Sequence, residues 1–344
     1  MRPAGLWGSH GEDVTSTALL FIVSVVAIVV GAELFTNAVE WAGFLLELGT
    51  GATGSLLAAL GTSLPETIVP IVAIAAARPH STAIATGAVL GSSFMLLGLG
   101  VAITGMAVIL RRSQPVLSVP KSQSRLDLGV FLVAFSGSLV IMPFDHVIHV
   151  IWGFCLIVVY AVYVGVTLKK STSTGDMPEP LHVTFHRSEK PHWSLVTLQL
   201  LLSVACLVAG SDIFVAQIGV VATKLHVNPL VLALVVIPLA TEFPETLNSV
   251  LWVRSGSDGL AFGNVAGSAA FQSCVLGFVA VVFTPWHLPD TAVVSGVLTV
   301  VTAGYLLFGL WNGHSRGRYL TMAALPWVVF VVFEMVAVVS APAR

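Results

Sequence analysis

The sequence predicts an all-α membrane protein with about ten transmembrane helices. They form two inverted five-helix repeats, with broken helices at the Pro-Glu motifs. Three observations carry this reading. Of 344 residues, 56% are hydrophobic and only 9% charged, whereas a soluble domain carries roughly a quarter charged residues. The charges are also segregated, with none between Asp13 and Glu33, Arg78 and Arg111, Asp145 and Lys169, Lys190 and Asp212, or Asp258 and Asp290. Finally, the second half of the chain repeats the first.

A bilayer crossing takes about 20 mostly apolar residues. Apolar runs divided by charges, glycines and prolines place spans near 14–38, 51–77, 82–110, 127–143, 147–168, 194–222, 229–253, 259–284, 291–311 and 320–340. The first run is too long for a signal-peptide core, lacks an A-x-A site and continues into "GAELF", so it reads as a retained helix. The polar stretch 169–193 reads as a linker. It separates a first five-helix repeat at 14–168 from a second at 194–340. With the N-terminus outside, 11 of the 15 Lys and Arg residues fall on the linker side. Basic residues favour the cytoplasm, which predicts a cytoplasmic linker and both termini outside a plasma or inner membrane.

The repeat has a constant register. Aligning "GAELF" at 31–35 with "GSDIF" at 210–214 places Gly31 on Gly210, Glu33 on Asp212 and Phe35 on Phe214, an offset of 179. The same offset places Thr62 on Thr241, Pro65 on Pro244, Glu66 on Glu245 and Thr67 on Thr246. Further on, Gly91-Ser92 falls on Gly267-Ser268 at an offset of 176. Five crossings per half is an odd number, so the halves face opposite ways, as in many secondary transporters.

Within this pattern the Pro-Glu pairs carry the chemistry. A carboxylate at mid-membrane costs about 2.5–3.5 kcal/mol on insertion scales, so Glu66 and Glu245 need compensation. Pro65 and Pro244 each lack an N–H and crowd the carbonyl four residues back, which breaks the helix and frees carbonyl oxygens. Irregular backbone at that depth must line a cavity or be buried in protein. Thr62 and Glu66, like Thr241 and Glu245, stand at i and i+4, on one face of a helix. Hard oxygen donors of this kind suit calcium or sodium rather than zinc or copper, with magnesium a poorer fit.

These motifs resemble the cation/calcium exchanger superfamily, and its sodium/calcium exchanger branch most closely. "ALGTSLPE" at 59–66 and "PLATEFPE" at 238–245 resemble the family's two alpha-repeats, and "GSSF" at 91–94 and "GSAAF" at 267–271 resemble the Gly-Ser-Asn motif that follows each. The alpha-1 region then covers 59–96 and the alpha-2 region 238–272. The resemblance implies that Glu66 and Glu245 are the central calcium ligands, with Thr62, Thr241, Ser63, Ser92, Ser268 and Ala59 in supporting positions. It also implies exchange of calcium for sodium by alternating access. Three positions depart from the family: Glu242 replaces a serine, Leu96 an asparagine, and Gln272 a frequent aspartate. An acid has in effect moved from 272 to 242. Three clustered carboxylates repel one another, which favours a proton as counter-ion, alone or beside sodium.

Other features receive no chemical role. A net charge of −2 without a basic run gives no nucleic-acid footprint, and no cofactor is expected beyond the transported ions. Cys155, Cys206 and Cys274 lie in apolar spans and read as packing. Glu33 and Asp212 are read near span ends, either in the ion pathway or as interfacial residues. "HVIH" at 146–149 has metal-like spacing, but apart from Asp145 no acid or cysteine accompanies it, so it reads as a span end. Two other function classes compete with the antiporter. An acidic-ring channel would not need an inverted repeat. An intramembrane enzyme would need a nucleophile or a histidine set beside the motifs.

Overall fold

Residues 14–46, 63–111, 116–170, 179–183, 190–225 and 227–340 are described by a computed structural model. No strand occurs among them; a single antiparallel bridge joins Val116 and Arg316. The first half comprises α1 (Val14–Leu45), α2 (Leu64–Ala76), α3 (Ser81–Met95), a π turn (Leu96–Gly100), α4 (Val101–Leu110), α5 (Lys121–Val140) and α6 (His146–Lys170). The second comprises α7 (Trp193–Leu225), α8 (Pro229–Thr241), α9 (Phe243–Ser255), α10 (Asp258–Phe271), a second π turn (Gln272–Leu276), α11 (Gly277–Phe283), α12 (Asp290–Trp311), α13 (Gly317–Thr321) and α14 (Ala324–Ser340).

Among the described residues seven helices are long and apolar enough to cross a bilayer, or eight if the bent pair α8–α9 counts as one span. Two expected spans fall outside that set. Of 51–77 only Ser63 onward is described, and α5 begins with Lys121, Arg125 and Asp127. Asp127 is nonetheless buried, accepting hydrogen bonds from Tyr163 Oη at 3.0 Å and Gln123 Nε2 at 2.7 Å. Lipid-facing surface is apolar, as at Val133, Leu201 and Phe333. Hydrocarbon solvates such surface, so packing rather than water exclusion holds these helices together.

Small residues accordingly mark the crossings. A Cβ on Gly31 would lie 2.9 Å from Leu207 Cγ, and one on Gly210 would lie 3.2 Å from Ile28 Cγ1. The two contacts are related by the sequence offset of 179, which carries 31 to 210 and 28 to 207. Where α3 meets α8, a Cβ on Gly87 or Gly91 would lie 2.8 or 2.4 Å from the carbonyl oxygen of Leu230 or Leu234. The same span presents Gly98, within the π turn, to Trp327 at 3.1 Å, and Gly105, beyond it, to Gly317 at 2.8 Å.

Element bounds follow the sequence register as well. Adding 179 to the bounds of α2 gives those of α9, and adding 176 to the first π turn gives the second. The ends of the spans are tied by ions. Arg111, following α4, grips Asp258 at the start of α10 through both guanidinium nitrogens, and Ser118 N donates to the same carboxylate at 2.8 Å.

Candidate cation-binding site

Proline positions both carboxylates. Pro65 and Pro244 occupy the first turns of α2 and α9, where a missing N–H costs nothing because that donor has no helical partner. Glu66 and Glu245 therefore also fall in first turns, where the positive end of the helix dipole favours an anion. In the second half α8 stops at Thr241, α9 starts at Phe243, and the chain bends by 42°. The expected stacking of Thr241 and Glu245 on one continuous helix face is thus corrected. Glu242 fills the joint, accepting from Thr246 N at its own carbonyl and donating its N–H to Pro238 O.

Glu66, Glu242 and Glu245 come together from both halves of the chain. Their side chains are 1%, 0% and 0% exposed, and one carboxylate oxygen from each lies within 4.8 Å of the others. Two oxygens on one calcium ion, each at 2.3–2.6 Å, stand at most about 5 Å apart. The spacing fits one such ion. Neither oxygen of Glu66 has a hydrogen-bond partner, nor does Oε2 of Glu242. A buried acceptor without a donor is costly, and a hard cation is a partner such oxygens can take.

The surrounding side chains are arranged in rank. Ser63 donates to Glu245 Oε1 across a long 3.5 Å. Gln272 Nε2 donates to Glu242 Oε1 at 2.7 Å, and Ser93 Oγ donates to Gln272 Oε1 at 3.1 Å. Gln272 thus holds a carboxylate in place instead of supplying one. Thr241 lies beside Glu66, its hydroxyl donating to Ile237 O at 3.2 Å. Ser92 lies beside Glu242, and the hydroxyls of Ser92 and Ser268 are buried without partners. Ala59 and Thr62 lie outside the described residues.

Two polar residues of this region escape motif reading. Ser93 sits next to the serine of the motif, and its link to Gln272 needs the two halves to meet. Asn264, whose Nδ2 reaches Glu245 O at 3.4 Å, was legible: Asn264, Ser268 and Gln272 recur every fourth residue along an otherwise apolar helix. Glu33 and Asp212, by contrast, are engaged elsewhere. α1 runs on to Leu45, so Glu33 lies inside the helix, where it meets His182 of the linker at 3.3 Å. Asp212 pairs with Arg78 at 2.7 Å.

The chain is similar to several known membrane proteins. The chain is 26% identical over 314 residues to CaxA of Alkalimonas amylolytica, named as a candidate antiporter, covering 87% of this chain and 91% of that one. It is 24% identical over 288 residues to the inner membrane protein YrbG of Escherichia coli, covering 81% and 85%. Among solved structures, the H+/Ca2+ exchanger CAX superposes with a TM-score of 0.71 at 14% identity, covering 94% of this chain and 88% of that one. The sodium-calcium exchanger NCX_Mj gives 0.56 at 20% identity, covering 95% and 99%. At these identities the likeness is one of fold. The model of the sodium/calcium exchanger protein family matches residues 16–169 and 195–338, and the chain belongs to that family, within the cation/calcium exchanger superfamily.

Proposed function

We propose that the protein is a secondary active antiporter that moves calcium, or a related cation, against sodium or protons by alternating access. The observation that carries this is the buried trio of Glu66, Glu242 and Glu245, drawn from both halves, in which both oxygens of Glu66 and one of Glu242 lack a hydrogen-bond donor. Glu66 and Glu245 are the central ligands. Ser63, Thr62, Thr241, Ser92, Ser268 and Ala59 complete the oxygen set, and Gln272 orients Glu242. The scaffold is a ten-helix inverted repeat, which the paired contacts Gly31–Leu207 and Gly210–Ile28 support. An inverted repeat gives two mirror-related ways of packing one half on the other, and each opens the midpoint to a different face. The relatives named for Na+/Ca2+ or H+/Ca2+ exchange support the cation class.

Glu242 favours a proton among the coupled ions. With no cation between them, three carboxylates this close hold a shared proton, and an entering cation displaces it. Calcium-45 flux into proteoliposomes under imposed sodium, potassium or proton gradients tests the function. Glu66→Gln and Glu245→Gln are each expected to lower flux by tenfold or more, because losing a hydrogen bond or contact to a charged ligand costs about 1.5–3 kcal/mol. Glu242→Ser is expected to flatten the pH dependence and shift coupling towards sodium. Flux that needs no ion on the opposite side would instead mark a channel, and normal exchange by either glutamine variant would refute the central site.

A further inference from the structure

A cavity of about 430 Å³ opens between α7 and the turn that joins α2 to α3. Its level in the bilayer follows from α1. Lys224, on the cavity rim, donates to Thr17 Oγ1 at 2.9 Å, whereas the linker meets α1 at Asn37 and Trp41. From Thr17 to Asn37 an α-helix rises about 30 Å, the thickness of the hydrocarbon core. The cavity therefore lies at the membrane face opposite the docked linker.

Its lining is graded along that direction. Arg78 and His80, from the turn, and Lys224, in the last turn of α7, form the outer end. Deeper in, α7 contributes Val220, Gly219 and Val215. Val215, Gly219 and Lys224 share one face of that helix, which rises about 14 Å between the first and the last. A Cβ on Gly219 would meet nothing within 4 Å, so the space reaches the helix backbone. Among the described residues that line the cavity there is no acid.

The basic end is held in place. Arg78 donates through Nη1 to Asp212 O and through Nη2 to its carboxylate, both at 2.9 Å, and Arg78 N donates to Ser81 Oγ at 2.9 Å. A guanidinium carries five N–H groups, so donors remain, and its planar fork suits phosphate oxygens. His80 stands at the N-cap of α3, where the helix dipole adds positive potential. The volume is that of a small-molecule site, about 300–1,000 Å³, and exceeds what a lone phosphate fills. Basic groups at headgroup level above an apolar helix face match an amphiphile with an anionic head.

We propose that this cavity binds an anionic phospholipid, with its phosphate on Arg78, His80 and Lys224 and the start of an acyl chain along Val220, Gly219 and Val215. The lipid then joins the turn after α2, in the first half of the chain, to α7 in the second, beside the Arg78–Asp212 pair.

Native mass spectrometry of the purified full-length protein in detergent, with equal phosphatidylglycerol or phosphatidylcholine added, tests the site without reference to transport. The wild type is expected to retain phosphatidylglycerol tenfold or more tightly than phosphatidylcholine. Lys224→Gln is expected to weaken that retention tenfold or more. Gly219→Leu keeps every charge but fills the space beside α7, and the same loss is expected. Lys224 is exposed and Gly219 faces open space, so neither change strains the fold. Because a ligand that binds only the folded state stabilises it, phosphatidylglycerol should also raise the thermal midpoint of the wild type more than that of either variant. Equal retention of the two lipids, or wild-type retention by both variants, overturns the site. Inorganic phosphate that raises the midpoint as far as phosphatidylglycerol does would mark a bare anion site and overturn the lipid assignment.

Discussion

Replacing Gly91 with alanine tests the contact that holds the second Pro-Glu segment in place. The new Cβ would lie 2.4 Å from Leu234 O, 2.8 Å from Pro238 Cγ and 2.9 Å from Leu234 C. Non-bonded carbon is at ease at about 3.5–4.0 Å, so α3 and α8 must separate by roughly 1 Å. The atoms struck are backbone and a proline ring, which cannot rotate aside. Overpacking of this kind costs about 1–3 kcal/mol. The shift falls where α8 runs into Thr241 and Glu242, so oxygens now within 4.8 Å of one another lose their common centre. Calcium affinity is expected to fall about tenfold, with a lowered thermal midpoint in detergent. The control is Gly129→Ala, in α5, where a Cβ meets nothing within 4 Å. It is expected to be neutral or to stabilise by about 0.5–1 kcal/mol, as alanine does over glycine within a helix. Equal calcium binding and equal midpoints for the two variants would refute the close-approach argument.

Gln272→Leu removes the 2.7 Å hydrogen bond to Glu242. A hydrogen bond to a charged group contributes about 1.5–3 kcal/mol, so equilibrium calcium-45 binding should change by about tenfold. Arg111→Gln leaves the carboxylate of Asp258, 5% exposed, without its ion partner, and thermal unfolding should register about 3–5 kcal/mol of destabilisation. Arg78→Gln should cost only about 0–1 kcal/mol, because the Arg78 and Asp212 side chains are 38% and 47% exposed. A cysteine at position 173 of the linker, in a background lacking Cys155, Cys206 and Cys274, should be shielded from an impermeant thiol reagent in intact cells. Labelling from outside would reverse the proposed orientation.

Hydropathy and register made most of the helices legible, because a span must satisfy its own backbone and stay apolar over a fixed length. The ends were less so. α1 outruns its apolar stretch since Asn37 and Trp41 bond to Glu179 O in the linker, a contact that local hydropathy does not encode. Of the site, the Pro-Glu pairs announce themselves because charge and helix-breaking at mid-membrane are each expensive. That Glu242 joins the other two glutamates, at a break between helices, follows from the bend after Thr241. That Gln272 faces Glu242 is a tertiary fact between residues with no shared spacing.

The two π turns have a consequence for how this chain can vary. An α-helix of 3.6 residues per turn rotates about 100° and rises 1.5 Å with each residue. Before the first turn, Gly87 and Gly91 must face α8; within it Gly98 faces α14, and beyond it Gly105 faces α13. A π turn takes up one residue more than an α turn while keeping the flanking segments in nearly the same rotational phase, so deleting one residue from Leu96–Gly100 would give a straighter helix with Gly91 and Gly105 still facing their partners. The same holds for Gln272–Leu276, where Ser268 lies before the turn and Gly277, packed on Leu156, lies after it. A one-residue deletion is therefore absorbed in both windows, whereas the same deletion elsewhere in these spans would rotate the glycines beyond it by about 100°. Leu96 and Gln272 open the two windows, so the extra residue of each turn sits beside the buried glutamates, where Gln272 bonds to Glu242.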